Sequence, residues 1–95
     1  MAQRPTKIRR NLMLKELDIK WLPNGNRMIF NIKFITGSGR VHFFPLAVCR
    51  GLPWNARNAR QRGIQPCKEN GDLLDHVYPV GIDNITQYNG MEVML

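Results

Sequence analysis

The chain is poor in acid, in cysteine and in long apolar runs. Seven Asp and Glu stand against fourteen Lys and Arg in 95 residues, for a formal net charge of +7. Two cysteines are too few for a disulfide scaffold. No stretch approaches the roughly 18 consecutive apolar residues that span a bilayer. The opening MAQRPTKIRR lacks the apolar segment of a secretory signal. These absences predict a cytoplasmic protein with no membrane partner. Gly 8 and Pro 6 are ordinary usage and exclude collagen-like or low-complexity chains. What is present is a hydrophobic fraction of 43%, too high for a disordered chain and sufficient for one small packed domain.

The scarce acids are also unevenly placed. Residues 1–62 hold thirteen of the fourteen bases and only Glu16 and Asp18 as acids. Residues 63–95 hold Lys68 alone against Glu69, Asp72, Asp75, Asp83 and Glu92. Such separation suits contact with a polyanion, of which nucleic acid is the commonest. It equally suits head-to-tail docking of one copy on another. Nine of the bases are Arg, whose planar fork of donors matches phosphates and guanine edges.

Turn signals divide the chain into short strands. Residues 1–11 are polar and basic without periodicity and read as a flexible arm, leaving 12–95 as one small β-domain. Leu17, Ile19 and Trp21 alternate with Glu16, Asp18 and Lys20, which predicts a half-buried strand. Pro23-Asn24-Gly25-Asn26 then makes a tight turn into a second strand over Arg27–Thr36, with Met28, Phe30, Ile32 and Phe34 on one face. Gly37-Ser38-Gly39 turns the chain into a third strand over 40–44, which Pro45 bends or ends. Leu46–Cys49 either extends that strand or forms a buried turn. Asn55–Arg62 reads as a short helix capped by Asn55 and closed by Gly63, or as an ordered loop. Further short strands are expected near 63–66, at an edge near 76–80, and in a terminal hairpin around Asn89-Gly90 whose last strand is held in the core. The expected fold is mainly β: a small SH3-like or OB-like barrel or rolled antiparallel sheet.

Chemistry-bearing residues are few. His42, Cys49, Cys67 and His76 are zinc-ligand types, but no Cys-x₂₋₄-Cys knuckle is present, so no metal is expected. Cys67 with His76 and Asp75 offers a nucleophile, a base and an acid. On a strand, however, Asp75 and His76 would point to opposite faces. Paired carboxylates, a phosphate-cradling Gly loop and a His-Glu-x-x-His helix are missing. The expectation is a protein without catalytic activity or cofactor.

The remaining signal is basic. Arg50, Arg57, Arg60 and Arg62 are interleaved with Asn55, Asn58 and Gln61, beside Trp54, a ring suited to stacking on an unpaired base. Arg4, Lys7, Arg9 and Arg10 on the arm add phosphate contacts, and Lys20, Arg27, Lys33 and Arg40 lie on strand faces. The leading expectation is a nucleic-acid-binding module that uses the 50–62 segment and the arm. The alternative is a structural or assembly protein, of the kind phages and mobile elements encode, acting through self-association or an acidic protein partner.

Overall fold

The computed structural model describes residues 6–56 and 58–95. The chain runs β1 (Lys7–Arg9), α1 (Arg10–Leu17), β2 (Phe30–Ile35), β3 (Val41–Arg50), β4 (Gln61–Pro66), β5 (Tyr78–Gly81), a 3₁₀ turn (Ile82–Asn84), β6 (Ile85–Tyr88) and β7 (Met91–Met94). The seven strands form one sheet in the order β1-β7-β6-β2-β3-β4-β5. Every neighbouring pair is antiparallel except β1–β7. The sheet is therefore mixed, where an antiparallel one was expected.

The beginning of the chain departs most from the expectation. Lys7–Arg9 lies inside the span read as a flexible arm, yet it pairs in parallel with Glu92, Val93 and Met94 and buries Ile8. The next eight residues form a helix that was not expected, and it takes in Glu16 and Leu17, where alternation predicted the start of a strand over 16–21. Arg-Asn-Leu-Met-Leu-Lys-Glu-Leu contains no Gly, Pro or β-branched residue, so nothing local opposes the helix. Met13 and Leu17, four apart on one face, are both fully buried. At roughly 1.5–3 kcal/mol for each side chain buried, that face supplies what an isolated eight-residue helix lacks. Past the helix, Ile19 and Trp21 are half exposed, so they do not form the predicted inner face.

The hairpins follow the turn chemistry. The Asn-Gly turn after Pro23 closes with Leu22 N–H donating to Asn26 O and Trp21 bridging Arg27, although the arms are too short to count as strands. At the terminal hairpin Asn89 and Gly90 both have positive φ (50° and 78°), the pair of values a type I′ turn needs. The last strand is paired, but Leu95 is 85% exposed, so the final residue is not held in the core.

β3 passes through Pro45 without ending. Phe30 pairs with Ala47 and Ile32 with Phe44, so β3 carries one extra residue there. This bulge accommodates a residue with no N–H to give, and the strand continues to Arg50. Bends of this kind help wrap the sheet around one core of Ile8, Met13, Leu17, Phe30, Ile32, Phe34, Ala47, Cys49, Ile64, Val80, Ile85 and Tyr88. The Tyr88 hydroxyl donates to Glu16 Oε1 at 3.1 Å, joining the helix to β6. Burial and that carboxylate push the Tyr88 phenol well above its ordinary pKa. On the other face, the excursion between β4 and β5 covers Gln65, whose amide donates to Leu74 O at 3.2 Å.

Gly63 is expected from the sequence to close a helix, yet it sits buried in β4. A Cβ there would stand 2.3 Å from Arg50 O and 2.9 Å from Val77 Cγ1. The first obstacle is backbone and cannot rotate away. Gly63→Ala should therefore cost about 2 kcal/mol, as overpacking typically does. Urea denaturation will measure it, and a loss below about 0.5 kcal/mol would show that β3 and β4 can separate freely at this point.

Candidate nucleic-acid interface

The segment from Gly51 to Arg60 contains no helix among its described residues. Ala59 N–H donates to Asn55 O at 3.1 Å and Gln61 N–H to Ala56 O at 2.8 Å, while Asn55 Oδ1 accepts from Asn58 N–H at 3.1 Å. Asn55 thus caps a single turn. Arg60, at φ 54°, reverses the chain into β4 and takes the left-handed position expected for Gly63. The segment is the ordered loop of the two alternatives.

This geometry disperses the expected Arg ridge. Arg60 forms a two-pronged contact with Asp83, Nε to Oδ2 at 3.1 Å and Nη2 to Oδ1 at 2.9 Å. Arg10 reaches the same carboxylate at 2.6 Å. Arg62 points into the molecule, with its side chain 11% exposed. Its Nε meets Asp18 Oδ1 at 3.2 Å and its Nη1 donates to Gln61 O at 2.8 Å. Three of the expected binding residues are therefore paired within the chain, because carboxylates distant in sequence lie beside them. Arg50 remains on the surface side of β3 with a neutral partner, Gln65 Oε1 at 3.2 Å. Lys7 and Arg9 are exposed on edge strand β1. Arg4 and Arg57 lie outside the described residues.

A different set of cations converges. Lys20, Arg50 and Arg62 line one small pocket of about 130 Å³ with Asp18, Cys49, Gly51, Leu52, Ala56 and Gly63. It holds three cationic side chains and one carboxylate. Among the described residues no carboxylate lies within ion-pair distance of Lys20, Arg27 or Arg50. Two tryptophans adjoin this pocket in the chain. Trp21, next to Lys20, is 55% exposed and carries the Arg27 guanidinium 4.5 Å from its ring centroid. Trp54, between Leu52 and Ala56, is 47% exposed, and its Nε1–H donates to Gln61 Oε1 at 2.9 Å. Sequence reasoning selected Trp54 and Arg50 but assigned Trp21 to the inner face of a strand. The register of the Pro23–Asn26 turn, which sets Trp21 opposite Arg27, was the signal that could have brought the two together.

Cys49 lines this pocket. Burial pushes its thiol up by more than Lys20 and Arg62 pull it down. Cys67 is raised for the same first reason, and both cysteines are free and buried. Among the described residues no three His, Cys, Asp or Glu side chains group as metal ligands would. His42 stacks on Phe34, at 5.5 Å between centroids. Asp75 and His76 do meet, Oδ1 to Nδ1 at 2.7 Å, contrary to the strand argument. The strand begins only at Tyr78, and Asp75 has φ 55°. Asp75 also accepts from the Tyr78 hydroxyl, the chief cause of its lowered pKa.

Comparison with protein-family models, with curated proteins and with solved structures finds no match for the chain. No helix of the described residues is long and apolar enough to cross a membrane.

The Asp83 clamp gives a pH test. Hydrogen bonds from Arg60, then the charges of Arg60 and Arg10, hold the Asp83 carboxyl below its ordinary 3.8. The folded state therefore binds this proton more weakly than the unfolded chain. The stabilisation is complete above the unfolded value and is lost as pH falls through the lower folded one. Wild type should melt at a higher temperature than Asp83→Asn at about pH 6, with the gap closing by about pH 2 and shrinking in high salt. Melting curves across that range check it. A gap independent of pH would mean that Asp83 acts by packing and not by charge.

Proposed function

We infer that the protein is a non-enzymatic nucleic-acid-binding module whose contact surface is the basic pocket of Lys20, Arg50 and Arg62 together with Trp54 and Trp21, which adjoin it in the chain, Trp21 and Arg27 lining a separate depression that also holds Glu69 and Asp72. The observation that carries this reading is the convergence of Lys20, Arg50 and Arg62 from three distant parts of the chain on one cavity with a single acid. With Arg62 paired to Asp18, Lys20 and Arg50 are left as the surplus charge of the pocket, which a polyanion relieves. Lys7 and Arg9 supply further phosphate contacts from the sheet edge. The reading keeps the expected function but moves its centre, since Arg10, Arg60 and Arg62 are engaged by acids of the same chain. A small rolled sheet in the manner of an SH3-like or OB-like barrel is a suitable carrier, and the cytoplasm is the inferred location.

A second reading, assembly through self-association, draws on one observation. Ile35, Val41 and Phe43 are all exposed on the β2–β3 hairpin, and Ile35 pairs directly with Val41. Such a patch suits an interface between copies. Sedimentation without nucleic acid separates the two, because the assembly reading requires multimers under those conditions.

The binding reading is tested with a labelled oligonucleotide by fluorescence anisotropy. The pair of substitutions Lys20→Ala and Arg50→Ala should weaken binding several-fold at about 50 mM salt. It should also flatten the dependence of log K on log salt, by about 0.9 for each phosphate left unneutralised on duplex or about 0.7 on single strands. Arg60→Ala, away from the pocket, should change affinity by less than about twofold, the effect of one exposed pair. Equal affinity for the double variant and wild type would refute the assignment.

A further inference from the structure

Resting on the nucleic-acid reading, we propose that the preferred ligand is an unpaired strand, seated with a backbone phosphate in the Lys20–Arg50–Arg62 pocket and bases stacked on Trp21 and Trp54. The pocket is small, about 130 Å³, and open to solvent, so it can receive a backbone phosphate while the rest of the nucleotide lies outside it. Lys20 brings an ammonium and Arg50 a guanidinium whose hydrogen-bond partner is the neutral Gln65, the donors that hold phosphate, while Arg62 on the wall is paired with Asp18.

The two rings supply the rest. Tryptophan is normally mostly buried, and here both are half exposed. Each is held in place: Trp21 by the Arg27 guanidinium against its face, Trp54 by its Nε1–H donated to Gln61. An indole has one donor and no acceptor. For Trp54 that donor is already used, so its exposed surface offers apolar π area and nothing polar. That is what a nucleobase needs to stack, and only unpaired bases present their faces. Restraint by Arg27 and Gln61 lowers the entropy lost on binding. Duplex reading finds no equivalent device among the described residues. The one α-helix turns Met13 and Leu17 into the core and is two turns long, so it is a poor probe for a major groove.

The test measures affinity for labelled single-stranded DNA and RNA oligonucleotides and for a hairpin duplex. Wild type, Trp21→Ala, Trp54→Ala and Arg27→Ala are compared, with intrinsic Trp fluorescence followed in parallel. Both indoles are exposed, so the variants should keep the wild-type melting temperature, which is checked first. Should Trp21→Ala unfold the hairpin, Trp21→Phe keeps a smaller stacking ring and should bind with intermediate affinity. Single strands are expected to bind at least tenfold tighter than the duplex and to quench Trp fluorescence. Each Trp→Ala change should cost about tenfold on single strands and little on duplex. The ratio between the DNA and RNA arms identifies the natural source of the strand. Equal binding of duplex and single strands, or single-strand binding untouched by both Trp variants, would overturn this proposal while leaving the basic surface intact. Binding of none of the oligonucleotides would overturn the nucleic-acid reading and this proposal together.

Discussion

A guanidinium drawn into the interior must be answered there, and much of the molecule is arranged around that requirement. Arg62 lies on β4, between β3 and β5, where water cannot reach most of it. Asp18, immediately after α1, supplies the counter-charge. The pair therefore fixes the end of the helix against β4. The helix in turn places Met13 and Leu17 in the core and Glu16 beside the Tyr88 hydroxyl. Asp18 carries an unfavourable charge for a helix C-terminus, and Lys15 in the last turn only partly offsets it. Its position makes sense as the partner of Arg62. Leaving that guanidinium uncompensated would cost far more than the helix-end penalty.

The same demand reshapes the charge distribution. Bases and acids are segregated along the chain, which suggested a large positive surface. Folding brings Asp83, from the acid-rich third, against Arg10 and Arg60, and Asp18 against Arg62. The positive field that remains is smaller than the composition implies and centres on residues with no ion pair among the described residues: Lys20 after the helix, Arg27 over Trp21, and Arg50 on Gln65. Net charge measured how much base was in excess. It carried no information about which bases were in excess, because that depends on contacts 23 to 73 residues apart.

What was legible in the sequence follows the range of the interaction involved. Turns at Asn24-Gly25, Gly37–Gly39, Asn70-Gly71 and Asn89-Gly90 are local, and each appears where the residues dictate. The β2 face of Phe30, Ile32 and Phe34 was equally readable, since alternation and burial agree there. β1 was invisible because a three-residue parallel strand is specified by its partner near the other end of the chain. α1 was missed because the alternation of Leu17, Ile19 and Trp21 competed with the four-residue spacing of Met13 and Leu17, and core burial decided for the latter. The Arg-rich loop misled in the opposite direction. Its Asn cap is real, but Arg60 turns left-handed after one turn, because β4 must begin at Gln61 to reach β3 and β5.

In the proposed function the basic pocket serves binding, and the state of its cysteine fits that role. Cys49 lines it, and cations beside a thiol normally lower its pKa and make it reactive. Here loss of solvent outweighs Lys20 and Arg62, and the thiol is held above its ordinary value. A reactive cysteine needs both the cations and access to water, and this one has only the first. The Asp75–His76–Tyr78 group has the opposite character, being exposed and well hydrogen-bonded but grouped with no third metal-ligand type among the described residues. The cations at the pocket therefore have neither a thiolate to stabilise nor enough carboxylate nearby to neutralise them. Under the proposed function, an external anion meets that surplus charge and the two restrained indole rings, which adjoin the pocket in the chain, take the bases.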